Sequence, residues 1–387
     1  MRLAKRMHRL GTETAFEVLI KARALEAQGR DIIHLEIGEP DFATPANVME
    51  AATQALHDGY THYGPSAGLN ELREAIAREI RTTRGVEVTA DWVVVTPGGK
   101  PIMFYLMLAV VEEGDEVLCP NPGFPIYESM VNFVGGIPVP IPLREELNFR
   151  FDASELQSKL TERTKLIILN SPHNPTGGLL AESDLQAIAE VAMERNVLVL
   201  SDEIYSHIIY DGTHQSITSL PGMLEQTVIL DGFSKTYAMT GWRLGYGVMH
   251  PELQTHISRL VTNSVSCTAP FIQRAGLEAL ANAGPAVSHM VAEFRRRRDL
   301  IVGGLREIPG LHCICPSGAF YVFPNIRDFG MSSSEFADRL LREAGVAALS
   351  GTAFGSYGEG YIRLSYANSL ENLERAIRRI GEFIARL

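Results

Sequence analysis

Val197-Leu198-Val199-Leu200-Ser201-Asp202-Glu203-Ile204-Tyr205 begins with four aliphatic residues in a row and then turns polar at once. An apolar run without alternation is expected of a strand covered on both faces. The segment before it, Ser183–Arg195, has helical character. Helix, brief break and doubly covered strand make one unit of an α/β protein. Working outward, comparable runs occur at Trp92–Val95, Glu116–Leu118, Ile137–Ile141, Leu166–Leu169, Thr227–Leu230 and Leu244–Met249. Helical segments such as Pro101–Val111 and Phe124–Phe133 separate many of them. The alternation predicts an α/β fold whose mostly parallel, seven-stranded sheet carries helices on both faces.

The flanks read differently. Thr14 and Glu17 have capping-box spacing ahead of Phe16, Leu19, Ile20 and Leu25, and Gly29 closes that helix. Asp31–Ile37 alternates partly, like a short strand, and ends in the loop Gly38-Glu39-Pro40-Asp41-Phe42. Two helices follow, one through Val48, Ala52 and Leu56, the other through Leu69, Leu72, Ile76 and Ile80. Beyond Gly284-Pro285 a long charged helix carries Arg295-Arg296-Arg297-Arg298, expected to be a solvated face. Short strands around Gly318–Phe323 and Tyr361–Ser365 then alternate with helices. The expected division is a large domain over 46–284 and a smaller α+β domain made of 1–45 and 285–387.

Composition narrows the classes of function. The chain has 387 residues, 45% hydrophobic and 21% charged, which suits a globular protein of two or three domains and excludes disorder as the main state. Its 35 Lys and Arg against 46 Asp and Glu give a net charge of −11, so nothing draws it to nucleic acid or anionic membrane. The longest apolar run, Ile102–Val111, falls well short of the roughly 20 residues that span a bilayer. The basic start, Met1 to Arg6, leads into no apolar signal core, and a cytoplasmic location is expected. Cys119, Cys267, Cys313 and Cys315 form no C-x-x-C pair or zinc spacing, so reduced thiols are expected and no metal site.

In an open α/β sheet, ligands sit beyond the carboxyl ends of the strands. After Trp92–Val95 comes Thr96-Pro97-Gly98-Gly99-Lys100-Pro101 and a helix, which reads either as a phosphate cradle or as a plain turn. After Val197–Leu200 comes Asp202, either a helix N-cap, the reading this segment alone favours, or the counter-ion of a protonated ligand nitrogen. After Thr227–Leu230, Lys235 stands among small and polar residues, eight before Arg243. A poorly solvated lysine has a lowered pKa and forms Schiff bases, and an arginine pairs with phosphate in fork geometry. After Leu166–Leu169, Asn170-Ser171-Pro172-His173-Asn174-Pro175-Thr176-Gly177 is a rigid loop that is either only a turn or holds Asn174 against a ligand. His173 reads as a satisfied loop histidine rather than a base. Together these residues supply a lysine, a carboxylate and a phosphate cup, which is what pyridoxal phosphate requires. Serine hydrolysis fits less well, because no G-x-S-x-G elbow is present.

At this point the chain resembles the class I/II pyridoxal-phosphate aminotransferases, the aspartate aminotransferase superfamily of fold type I, over nearly its whole length. Ser234–Gly245 is similar to that family's lysine motif at almost every position, Asn170–Gly177 to its N-P-T-G loop, and Tyr63–Ala75 to a further segment. The resemblance implies that Lys235 holds the cofactor as a Schiff base and then moves a proton at the substrate Cα. It implies that Asp202 pairs with the ring nitrogen, and that Tyr205 and Asn174 bond the ring hydroxyl. Gly98, Gly99, Lys100, Ser234 and Arg243 form the phosphate site, and Phe124 stacks on the ring. Arg363 clamps the substrate α-carboxylate with help from Gly38 and Asn174. Tyr63 reaches the phosphate of a neighbouring subunit, which implies a homodimer. The reaction implied is ping-pong transamination between an L-amino acid, aspartate-like or broad, and a 2-oxo acid such as 2-oxoglutarate. Lys100 occurs in aspartate enzymes that use it for the distal carboxylate, whereas Glu13 would repel such a group. A carbon–sulfur lyase on the same fold is the alternative, and a ligand-sensing regulator ranks below it.

Overall fold

The computed structural model describes residues 2–387. Its elements begin with α1 (Thr14–Glu26), β1 (Ile33–His34), α2 (Ala46–His57), α3 (Asn70–Arg84) and β2 (Val93–Thr96). Alternation follows through α4 (Lys100–Val110), β3 (Glu116–Asn121), α5 (Ile126–Val134), β4 (Ile137–Pro142), α6 (Ala153–Lys159), β5 (Thr164–Asn170), α7 (Glu182–Arg195) and β6 (Leu198–Asp202). Then come β7 (Thr227–Gly232), α8 (Phe233–Thr236), β8 (Gly245–Val248), α9 (Pro251–Ser264), α10 (Pro270–Asn282) and α11 (Gly284–Arg306). The chain ends with β9 (Tyr321–Val322), α12 (Ser333–Arg339), β10 (Val346–Ala347), β11 (Leu349–Ser350), β12 (Ile362–Ser365) and α13 (Leu370–Ile384).

All seven apolar runs join one sheet, in the order β2-β8-β7-β6-β5-β3-β4, with β8 antiparallel to both its neighbours and the other pairs parallel. The reason is visible in β5. Leu166 and Ile168 face a layer with Leu106 of α4 and Val261 of α9. Ile167 and Leu169 face the other layer, with Leu185 and Ile188 of α7. Successive side chains point to opposite faces, and here both faces are covered, so Leu166–Leu169 is aliphatic throughout. No helix among the described residues is long and apolar enough to cross a membrane.

A second body of structure combines the parallel pair β1-β10 with the antiparallel ribbon β11-β12-β9. Phe294 and Ile301 of α11 and Ile380 and Phe383 of α13 bury against Tyr321 and Leu364 of that ribbon. The expected strand over Asp31–Ile37 shrinks to Ile33–His34. Leu35 still donates its N–H to Ala347, but the next carbonyl, that of Glu36, accepts from the Arg363 guanidinium instead of a strand. The expected capping box also gives way: α1 begins at Thr14 itself, and Glu13 stands at the N-cap without capping. The arginine run is not one solvated face. Four successive helical residues sweep about 300° around the axis. Arg297 and Arg298 accordingly turn inward, Arg297 onto Asp41 at 2.6 Å and Arg298 between Asp211 and Asp299.

Candidate active site

The carboxyl ends of β3, β5, β6 and β7 open into a cavity of about 360 Å³ whose far wall comes from β12, the Ile37–Glu39 loop and the start of α1. A cavity there follows from the sheet order, which reverses direction between these strands.

Asp202 is the last residue of β6 and is buried. It is no helix cap, because the chain continues as turns. Its Oδ1 accepts the Ile204 N–H at 3.2 Å, and its Oδ2 accepts the Tyr127 hydroxyl at 2.6 Å. No cation pairs with it among the described residues. Burial pushes its pKa up to about 7, against the pull of those two hydrogen bonds.

Lys235 lies on the single turn α8, directly after β7. Its ammonium donates to the Gly38 carbonyl at 2.5 Å. Burial lowers its pKa to about 8, and the positive charges of Arg363 and Lys100 add to the fall. Gly38 is required here, since a Cβ would strike the Tyr321 hydroxyl. That hydroxyl in turn meets the Tyr205 hydroxyl at 2.7 Å.

Beside the lysine lies an anion cradle. Gly98 has φ +86, and a Cβ there would run into the Arg243 guanidinium. Arg243 is itself held at φ 54. Its Nη1 donates to the Thr240 carbonyl at 2.8 Å, and no carboxylate pairs with it among the described residues. Gly99 precedes the first turn of α4, the positive end of that helix's dipole. Ser234 opens onto the same space.

On the opposite wall Arg363 is buried, yet no carboxylate pairs with it among the described residues. Its Nη1 donates to Asn174 Oδ1 at 3.0 Å and its Nη2 to the Glu36 carbonyl at 2.5 Å, while Nε has no partner. Its guanidinium lies 4.4 Å from the Tyr321 ring centre and 4.9 Å from that of Phe354. A desolvated arginine with a spare N–H and no counter-ion is a site for an anion. Asn174 is fixed in turn, its N–H bonded to Asn170 Oδ1 at 2.9 Å.

Most of the residues singled out in the sequence therefore meet. Gly38, Gly99, Lys100, Phe124, Asn174, Asp202, Tyr205, Ser234, Lys235, Arg243 and Arg363 all line the cavity, and Gly98 lies behind Arg243. Tyr63 does not join them; its side chain is 89% exposed. The Lys100 side chain is not part of the cradle, because its ammonium is held by Glu13. His173 is half satisfied: Nδ1 meets Thr176 Oγ1 at 2.8 Å, Nε2 is buried without a partner, and burial holds its pKa near 3. Two residues went unread in the sequence, Tyr127 and Tyr321. Tyr127 had a signal, since it follows Phe124 by three within Phe124–Phe133, a segment of helical character in the sequence. Tyr321 had none beyond being an aromatic in a short strand.

Comparison with known proteins agrees with this geometry. A family profile described as aminotransferase class I and II matches residues 30–380. Aspartate aminotransferase of Pyrococcus abyssi is 44% identical over 359 residues, 92% of this chain and 92% of that protein. Aromatic-amino-acid aminotransferase 2 of Thermococcus litoralis is 42% identical, over 92% of this chain and 93% of that one. The solved structure of Thermus thermophilus aspartate aminotransferase with maleate superposes with a TM-score of 0.95 at 40% identity, covering 99% of this chain and 100% of that one. With a family match over most of its length and relatives this similar throughout, the chain belongs to the class I and II aminotransferases and is a transaminating enzyme.

Proposed function

We propose that this aminotransferase binds pyridoxal 5'-phosphate in the cavity and works by ping-pong, with an L-amino acid, aspartate-like or broader, as donor and 2-oxoglutarate as acceptor. One observation carries the reading. A single cavity holds a lysine with a lowered pKa and, among the described residues, a buried carboxylate without a cation and a buried guanidinium without an anion. Each lacks a partner of a kind that a cofactor or an amino acid has.

The residues fit the cofactor. The cradle of Gly98, Gly99, Ser234 and Arg243 suits a phosphate dianion, because Arg243 has no carboxylate partner among the described residues and only a glycine at 98 leaves its guanidinium in place. Asp202 suits a protonated ring nitrogen, which would draw its pKa back down. Phe124, edge-on to Tyr127 at 5.6 Å, offers an aromatic face. Bound there, pyridoxal phosphate supplies the electron sink that lets an amino acid lose its Cα proton. Lys235, partly neutral near its pKa of about 8, is the base for that proton. Arg363 and Asn174 orient the substrate carboxylate, and Tyr205 with Tyr321 closes the wall between them. Donor and acceptor use the same cavity in turn, so the first product leaves before the second substrate enters.

The exposed Tyr63 supports a homodimer in which it reaches the neighbouring site. The core that joins Ile33 and Leu35 to residues 290–383, with Tyr205, Ile208 and Tyr210 packed into it from the large sheet's side, supports the division into 46–284 and 1–45 with 285–387. The absence of a spanning helix among the described residues is compatible with a cytoplasmic location.

The test is the visible spectrum of the purified holoenzyme with single L-amino acids and no oxo acid. Conversion of the visible band to an ultraviolet one by an amino acid, restored by 2-oxoglutarate, is the expected result. Release of ammonia without an acceptor would instead favour a lyase.

A further inference from the structure

The α-carboxylate clamp treats every amino acid alike, so substrate choice falls to the other end of the cavity. Phe124 gives that end an aromatic face, and Lys100 brings a cation to it. The cation is already engaged. Lys100 Nζ donates to the Glu13 carboxylate and lies 5.4 Å from the Phe124 ring centre. The Glu13 side chain is only 18% exposed, against 44% for Lys100, so the carboxylate is the inner partner. Its charge also reaches inward. Beyond the dominant effect of burial, it raises the proton affinity of Lys235 and Arg363.

The chain around Glu13 is pinned. The Gly11 N–H donates to Ser129 Oγ at 2.9 Å, and Arg9 pairs with Glu113 at 3.4 Å. Glu13 then sits at the N-cap of α1 without capping, its side chain committed to the cavity. An N-cap carboxylate ordinarily bonds the first amides of its helix. Here that bond is given up for a contact across the pocket.

We propose that Glu13 is the specificity-determining residue of this enzyme, an internal carboxylate that occupies Lys100 and competes with the distal carboxylate of dicarboxylic substrates. The proposal rests on the aminotransferase reading of the cavity. With the pair intact, the far end has no net charge, and it receives apolar and aromatic side chains. A dicarboxylate must displace Glu13 from Lys100 and leave it in repulsion with the incoming charge, which is discrimination by an unfavourable contact. Both classes are accommodated, and Glu13 sets the ratio between them.

The experiment compares wild type, Glu13→Gln, Glu13→Ala, Lys100→Ala and the double variant Glu13→Gln/Lys100→Ala, all as holoenzyme. It measures the dissociation constant of succinate, a dicarboxylate without an amino group, and half-reaction kcat/KM for L-aspartate and L-phenylalanine. Removing the Glu13 charge is expected to tighten succinate on the order of fivefold and to raise the aspartate-to-phenylalanine ratio by a similar factor. The gain is expected to vanish in the Lys100→Ala background, since the two residues act through one contact. An unchanged ratio and unchanged succinate binding in both Glu13 variants would overturn the proposal and leave the aminotransferase reading standing. So would a gain that persists without Lys100. A wild type that converts none of the amino acids would overturn the parent reading and the proposal with it.

Discussion

Asp202 and Glu203 are consecutive, both carboxylates and both buried, and they end in opposite states. Glu203 turns away from the cavity into a closed ionic cluster. It accepts from Arg84 Nε at 2.9 Å, His214 Nε2 at 3.0 Å, Ser201 Oγ at 2.9 Å and Ser216 Oγ at 2.5 Å. Arg84 is shared with Asp231, at 2.9 Å. Burial would raise the Glu203 pKa, but His214 and Arg84 outweigh it and hold the carboxyl well below the ordinary range. Asp202 has the burial without the cation, and its pKa rises to about 7. A buried charge that is fully compensated holds a structure together. One left uncompensated is destabilising alone, and its persistence points to a ligand that completes it.

The largest effect expected on the open side is at Lys235. Lys235→Ala should lose turnover by about 10⁴-fold or more, since it removes both the proposed attachment point and the proposed proton carrier, while the fold and cofactor binding survive. Near-normal transamination by that variant would end the assignment. Next come the two neighbours, with opposite expected phenotypes. Asp202→Asn should cut kcat/KM by about 10²–10³-fold and leave the cofactor-free protein no less stable. Glu203→Gln should keep activity per folded molecule but lower stability by about 3 kcal/mol in urea unfolding, because Arg84 and His214 lose their partner.

The signs of the pH dependence separate them too. The folded pKa of Glu203 is below its unfolded value. Its contribution to stability is complete above about pH 4.5 and is lost as pH falls toward the lowered folded value. The folded pKa of Asp202 lies above its unfolded value, so the cofactor-free protein loses stability as pH rises from about 4 to about 7. Unfolding free energies of cofactor-free wild type and Asp202→Asn should thus coincide near pH 4 and diverge by pH 8, with the variant ahead by about 4 kcal/mol.

How far the sequence reaches follows the same line. The sheet was legible because the doubly covered part of a strand is aliphatic without alternation, as Leu166–Leu169 of β5 and Leu198–Leu200 of β6 are. The open side of the site was legible because lysine, aspartate and arginine stood after strands, within motifs of known family pattern. The closed cluster was not. Arg84 is 119 residues from Glu203 and 147 from Asp231, and no local spacing links them. Nor could the sequence say that Lys100 and Glu13, 87 residues apart, had found each other. For Arg297 and Arg298, charge alone suggested solvent, and only the helical angle with Asp41 and Asp211 in place turned them inward.

The smallest expected effect probes the one strong bond Asp202 does have to a side chain. Tyr127, fully buried, donates its hydroxyl to Asp202 from 75 residues away. Burial raises the phenol pKa well above its usual value, and the adjacent carboxylate adds to that, so the proton stays on the phenol and the bond keeps its direction. A donor so placed favours the ionised form of Asp202 and fixes the lone pair that faces the cavity. Tyr127→Phe removes one hydrogen bond to a charged group and leaves the ring packing in place. Such a bond contributes about 1.5–3 kcal/mol. Asp202 should then ionise less readily, and pyridoxal phosphate should bind about tenfold more weakly with kcat reduced by a similar factor. A merely structural tyrosine would lower the unfolding midpoint and leave the cofactor dissociation constant alone. If Tyr127→Phe does that, the Asp202 carboxylate is oriented by its backbone bond to Ile204, and its contrast with Glu203 is sharper still.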